Sequence, residues 1–199
     1  LTIDADLQKS AAEAFAGKMG AVVGMDPRTG EILPMLSQPS FDPTEMASKG
    51  ADLWSSFINN PYGPLRNKGV QDHFPPGSTF KVFTALAALE SGVIDPKQTV
   101  FCPGFFRFGN RPFYCHKKEG HGSVDLTEAI RSSCDVYFWT IASRMSVDTI
   151  SKVAGYFGLG RKTNIELSNE SAGLLPTEEW KRKVYNQPWA PGETLSVAI

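Results

Sequence analysis

Apolar residues recur at helical spacing from Ala5 to Lys18, behind Asp4, a residue suited to capping a helix start. A short apolar run from Gly20 to Asp26 predicts a strand, and Glu31 to Gln38 predicts a second. Between them Pro27-Arg28-Thr29-Gly30 has turn composition, so the two strands read as a hairpin. Pro34 inside the second strand points to a sheet edge or a bulge. The pattern is helical again over Thr44 to Asn60 and irregular from Pro61 to Phe74. Pro75-Pro76-Gly77 then forces a non-helical approach to Ser78, where a strong helix begins. Phe80, Val82, Phe83, Leu86, Ala87 and Leu89 are apolar nearly all round it, which predicts burial, and Gly92 stops it.

Val100 to Gly122 is rich in Gly, Pro and aromatic residues and shows no period. It is long for a structureless loop and calls for an organiser other than a hydrophobic face. Leu126 to Phe157 is helical in two or three pieces, the last capped by Ser146 and ended by Gly158-Leu159-Gly160. Thr177 to Tyr185 predicts a further short helix. Helices outnumber strands and the clear strands lie near the start, so the class expected is α+β, with residues 1–199 as one domain.

Composition changes this picture little. With 41% hydrophobic residues there is enough apolar surface for a core. Twenty basic against 21 acidic residues give a net charge of -1, which argues against nucleic acid as a partner. No apolar run reaches the roughly 18 residues of a membrane span, and no signal peptide opens the chain. The abrupt start at Leu1 and the apolar run from Leu195 to Ile199 read as cuts at both ends.

The candidate chemistry begins at Pro76-Gly77-Ser78-Thr79-Phe80-Lys81. A serine and a lysine three apart at a helix start share one face. The lysine amine can then reach the serine hydroxyl and act as the base that a weak nucleophile needs, provided the amine is neutral. Burial and the positive helix N-terminus both favour the neutral form. The Ser78 backbone N–H is a natural half of an oxyanion hole. Alone, the pair is equally readable as a capping serine beside a surface lysine. A second motif, Ser132-Ser133-Cys134-Asp135, sits between two helical segments and strengthens the catalytic reading. S-x-x-K followed by an S-x-N-type triplet belongs to the penicillin-binding and β-lactamase signature set. Here Asp135 stands in the Asn position, where it would face Lys81 as a charged partner and oppose the neutral amine.

At this point the chain resembles the transpeptidase domain of a class B penicillin-binding protein of the PBP2, elongation type. The stretches that carry the resemblance are Thr2-Ile3-Asp4 with Leu7-Gln8, the Val22 to Met35 hairpin, Phe41-Asp42-Pro43, Phe74 to Lys81, and Ser133 to Phe138. Leu175-Pro176-Thr177 with Trp180-Lys181 and Gly192-Glu193-Thr194-Leu195 complete them. The resemblance implies a penicillin-binding/serine β-lactamase-like fold, incomplete at its C-terminus. It also implies Ser78 as acylated nucleophile, Lys81 as base, and Ser133 with Asp135 as the second-motif pair. The K-T-G or K-S-G triplet of the family is absent from the 199 residues, so weak or absent acylation is expected of this stretch alone.

The implied reaction is peptidoglycan cross-linking. Ser78 attacks a D-Ala-D-Ala stem peptide, D-Ala leaves, and an amine takes the acyl group. β-Lactams would trap the same serine. No cofactor is implied for catalysis. The implied setting is periplasmic, on an inner-membrane-anchored protein working with a glycosyltransferase and elongation-complex proteins. A β-lactamase or β-lactam sensor, and a non-catalytic scaffold of the same fold, are the competing functions.

Cys102, Cys115 and Cys134 fall in one third of the chain with His116 and His121. Cys102, Cys115, His121 and Cys134 together offer a Cys₃His set for structural zinc, which would clip the aperiodic loop to the second motif. Some PBP2-type proteins are similar in carrying metal-binding side chains in this loop. His116 is the competing ligand. A disulfide with one free thiol, three plain buried thiols and a disordered loop are the alternatives.

Overall fold

In the computed structural model the backbone of residues 1–199 is described, with all side chains except those of residues 49–52. The chain forms two compact units: Leu1–Phe74 with Asn164–Ser171, and Pro75–Thr163 with Ala172–Ile199.

In the first unit, helix α1 (Ala5–Ala14) is capped by Asp4, whose carboxylate accepts from the Leu7 N–H. It is shorter than its periodicity predicts because Gly17 takes a left-handed φ of 73° and turns the chain. Strands β1 (Gly20–Met25) and β2 (Ile32–Gln38) pair antiparallel as expected. The register shifts between Val23 and Met25, opposite Pro34, so the proline that cannot donate to the ladder sits at a bulge. Helix α2 (Pro43–Ile58) begins at the Asp42 cap. The stretch before Phe74 is not wholly irregular: it holds a one-turn helix, α3 (Lys68–Gln71), capped by Asn67.

The second unit is built around helices. Ser78 does not open the α-helix directly. It lies in a 3-10 turn, Gly77–Phe80, and α4 (Lys81–Glu90) follows. Helices α5 (Leu126–Arg131), α6 (Asp135–Ala142) and α7 (Val147–Tyr156) come next, with Ser146 capping α7. Helix α6 is mostly apolar and mostly buried, with Asp135 and Thr140 half-buried: Tyr137, Phe138 and Ile141 are fully enclosed. Each such side chain contributes about 1.5–3 kcal/mol of burial. Helix α4 packs against both α6 and α7, which fixes the start of α4 beside the start of α6. Helices α8 (Glu178–Tyr185) and α9 (Pro191–Val197) close the chain, and Leu195 of α9 is fully buried.

The aperiodic segment is where the structure departs most from the sequence pattern. It contains four short strands: β3 (Val100–Cys102), β4 (Phe105–Phe108), β5 (Arg111–Tyr114) and β6 (Gly122–Val124). β3 pairs with β6 and β4 with β5, both antiparallel. Strands of three or four residues are too short to show alternation, so no period was visible. The inward pair Phe106 and Phe113 packs on Trp139 of α6, at ring separations of 6.4 and 5.5 Å. Gly104 (φ 93°) and Gly120 (φ 81°) sit where the two ends of this segment cross. A Cβ on Gly104 would fall within the radius of the Lys118 carbonyl oxygen. Gly104→Ala should therefore cost at least about 2 kcal/mol, the combined expense of strained φ and overpacking. Thermal melting of the variant against the parent checks this; equal midpoints would contradict it.

Candidate active site

The first-motif residues separate in exposure. Ser78 is exposed in its 3-10 turn, whereas Lys81, at the start of α4, is only 3% exposed. No hydrogen bond joins the two among the described residues. Lys81 Nζ instead donates to Ser133 O (2.9 Å), Ser133 Oγ (2.9 Å) and Asp135 Oδ1 (2.5 Å). An ammonium has three donors and no acceptor. The second motif uses all three, which is why the expected Ser78 contact is not made. The Phe138 ring lies 5.5 Å from Nζ and completes the enclosure of the cation.

Ser133 reaches Lys81 through an uncommon backbone. Helix α5 ends in a Schellman motif: the Ser133 N–H bonds Ile130 O at 3.2 Å and the Cys134 N–H bonds Ala129 O at 2.9 Å. The left-handed position of that motif usually takes glycine. Here it is Ser133, with φ 52°, at a cost of about 1–2 kcal/mol. The left-handed turn presents both the Ser133 carbonyl and its hydroxyl to one amine. Helix α6 starts two residues later with Asp135 in its first turn, where the dipole favours a carboxylate.

Asp135 Oδ2 faces away from Lys81 and accepts the His116 backbone N–H at 3.1 Å; His116 Nδ1 lies 3.6 Å away. Burial works to raise the Asp135 carboxyl, but the Lys81 hydrogen bond and charge, with the His116 N–H, outweigh it and hold the group below its usual range. The structure thus brings Lys81, Ser133 and Asp135 together as the sequence motifs predict. It adds His116 and Phe138 to that group. The His116 contact uses a main-chain donor, which no side-chain pattern can signal.

The sulfur atoms of Cys102, Cys115 and Cys134 and a His121 nitrogen all lie within 4.8 Å of one another. Nδ1 of His121 is 3.6 Å from both Cys102 Sγ and Cys115 Sγ. A tetrahedral zinc with ordinary Zn–S and Zn–N bonds requires a sulfur-to-nitrogen edge of about 3.6 Å, so the residues fit the ion. The three cysteines are buried and free of disulfides. Burial pushes the Cys134 thiol up to about 12, so a cation in the cluster is what would favour its thiolate. Burial, with the nearby His116 and Lys117 charges, lowers the His121 imidazole and keeps a lone pair available. His116 is exposed and turned to Asp135, although its ring sits 5.0 Å from that of His121. His73, the one remaining histidine, shares a hydrogen bond with Ser171.

A serine at a helix start, a buried lysine behind it and a Ser-x-Asp turn facing that lysine correspond to the first and second motifs of the penicillin-binding signature set. Residues 20–199 match the penicillin binding protein transpeptidase domain family, and the chain belongs to it. Among curated proteins it is 41% identical to the peptidoglycan D,D-transpeptidase MrdA of Acinetobacter baumannii, over 100% of this chain and 30% of that protein. It is 38% identical to MrdA of Escherichia coli K12, over 100% of this chain and 32% of that protein. Among solved structures, Pseudomonas aeruginosa PBP2 in complex with WCK 5153 superposes with a TM-score of 0.92 at 38% identity, covering 100% of this chain and 44% of that one. Helicobacter pylori PBP2 in complex with MreC gives 0.93 at 36% identity, covering 99% and 37%. The similarity is thus to the PBP2 type, and the α+β penicillin-binding fold expected from the motifs is the one observed. The chain spans about a third of the length of these curated relatives.

Proposed function

We propose that the protein of which these residues are part is a peptidoglycan D,D-transpeptidase and a target of β-lactams. The observation that carries this reading is the enclosed amine of Lys81, held by two side chains 52 and 54 residues away in sequence. Burying a cation is costly unless its surroundings compensate it, and for Lys81 the compensation is a hydroxyl and a carboxylate from one turn, whereas the buried Lys68 of α3 donates to the Gly63 carbonyl.

In this reading Ser78 Oγ attacks the penultimate D-Ala carbonyl of a stem peptide. Its proton passes to Lys81 once that amine has released one of its own towards Ser133. The new bond is the Ser78 ester, the peptide C–N bond breaks, and D-Ala leaves after taking a proton through Ser133. An acceptor amine then attacks the ester and frees Ser78. Asp135 holds the lysine in place and balances its charge. The serine's own N–H, in the first turn of its 3-10 segment, is available to the oxyanion.

The same reading puts a structural zinc on Cys102, Cys115, His121 and Cys134. Bound zinc supplies a closed clip that ties β3, β5 and the second motif together, and takes no part in acyl transfer. The catalytic residues face the periplasm on an inner-membrane-anchored protein, with a glycosyltransferase and elongation-complex proteins as partners. Among the described residues no helix is long and apolar enough to cross a membrane.

Mass spectrometry of the full-length protein after exposure to a penicillin tests the proposal. A stable adduct on Ser78 is expected. Release of the adduct within seconds would mark a β-lactamase instead, and absence of any adduct would mark a scaffold.

A further inference from the structure

Two of the four candidate metal ligands adjoin catalytic-site atoms in the chain. Cys134 sits between Ser133 and Asp135. Cys115 precedes His116, whose backbone N–H bonds Asp135 Oδ2 at 3.1 Å. Asp135 is therefore gripped at both oxygens: Lys81 holds Oδ1 at 2.5 Å, and the cysteine segment holds Oδ2. The Cys115 N–H in turn bonds Gly104 O at 2.9 Å, so β4 and β5 carry the donor on a short, ladder-fixed path. His116 itself is exposed, and Lys117 and Lys118 after it are exposed too; the His116 imidazole lies against Asp135 (3.6 Å) and Cys115 Sγ (3.9 Å), the two residues this N–H connects. Its position depends on what anchors Cys115.

We propose that the His116 main chain is a positioning donor for Asp135, and that the Cys102–Cys115–His121–Cys134 centre holds it there when metal is bound. This rests on the acyltransferase reading above and on the zinc assigned to the cysteines there. With the donor in place Asp135 has one rotamer, and that rotamer presents Oδ1 to Lys81. Without it the carboxylate is free to turn, and the lysine loses the partner that fixes its amine against Ser133. A charge-assisted hydrogen bond of this kind is worth about 1.5–3 kcal/mol, or roughly tenfold or more in a rate that depends on the geometry. Outer-shell contacts at metal sites carry effects of similar size.

The test uses full-length protein, zinc content by elemental analysis, and acylation by a fluorescent penicillin resolved into limiting rate and half-saturating concentration. His116→Pro deletes the N–H together with the imidazole 3.6 Å from Oδ2, so His116→Ala, which keeps the N–H, is its control and should change the rate less than about twofold. His116→Pro should lower the limiting rate about tenfold with zinc retained and the half-saturating concentration little changed. In an Asp135→Ala background the same substitution should cost less than about twofold, because its target is gone. Equal losses in both backgrounds, or no loss in either, would overturn the proposal. If His116→Pro does not fold, chelator-treated parent protein replaces it, with the same contrast expected and with recovery on adding zinc. Hydrogen exchange reads the contact without any chemistry: exchange at the His116 amide should accelerate at least about tenfold on zinc removal and on Asp135→Ala. An unchanged exchange rate in both sinks the clamp. If the exchange behaves as stated but Ser78 is never acylated, the acyltransferase reading fails and the clamp stands.

Discussion

Replacing Lys81 with methionine should reduce acylation of Ser78 by a penicillin about 10²–10⁴-fold, the range spanned by a positioned general base. Methionine keeps the unbranched apolar stem of lysine and is one atom shorter, so the loss would come chiefly from the amine and not from a large cavity beside Phe138. Labelling of the full-length variant with a fluorescent penicillin measures it. A rate within threefold of the parent would show that Lys81 is not the base. The same variant carries a pH signature. In the parent, Asp135 has a depressed folded-state pKa, so it adds stability above the unfolded carboxyl range and loses it as pH falls through the folded value. Below about pH 4 the parent should therefore weaken, since an unfolded Asp titrates near there. Lys81→Met removes the main group that depresses Asp135. Its melting temperature should be lower at pH 7 and should fall less than the parent's on going to pH 3.

How much of this was readable beforehand differs by element. The β1–β2 hairpin and the Asp4 and Ser146 caps follow from local spacing and capping chemistry, which act within a few residues. The burial predicted all round α4 does not hold: Val82, Leu86 and Leu89 share one face of the helix and are exposed. Ser78, Lys81, Ser133 and Asp135 were legible as motifs, but their arrangement was not. A three-residue spacing says that Ser78 and Lys81 share a face, not that the amine will spend its three donors on a turn 52 residues away. The left-handed φ of Ser133 was also hidden, because serine carries no signal for a position that glycine usually fills. The strands between Val100 and Val124 were missed for a further reason. They are held by cross-strand pairing and by Gly104 and Gly120 at a backbone crossing, and neither leaves a periodic trace.

Removing the proposed metal should have the second large effect, because it would link strands whose own pairing is short. The two ladders of the cysteine segment have two strands each, and an isolated two-stranded hairpin is marginal in water. The segment's apolar anchors are Phe106 and Phe113 on Trp139, with Val100, Phe108 and Val124 on the same core, while Phe101 and Tyr114 face solvent. Zinc bound only by the folded state, at free concentrations about 1,000 times its Kd, stabilises by about 4 kcal/mol. For a domain of this size each kcal/mol shifts the melting temperature by about 2–4 °C. Chelation should thus lower the melting temperature by roughly 8–16 °C. Cys102→Ser, which removes a fully buried thiol of the proposed zinc set from β3, should reproduce most of that drop and make the variant nearly insensitive to chelator. Differential scanning calorimetry with and without chelator measures both. A disulfide in place of the metal predicts the opposite pattern: chelator without effect, and a thiol reductant lowering the midpoint. The distances favour the metal, because His121 Nδ1 stands at one tetrahedral edge length from two sulfurs at once, and a disulfide has no use for an imidazole there.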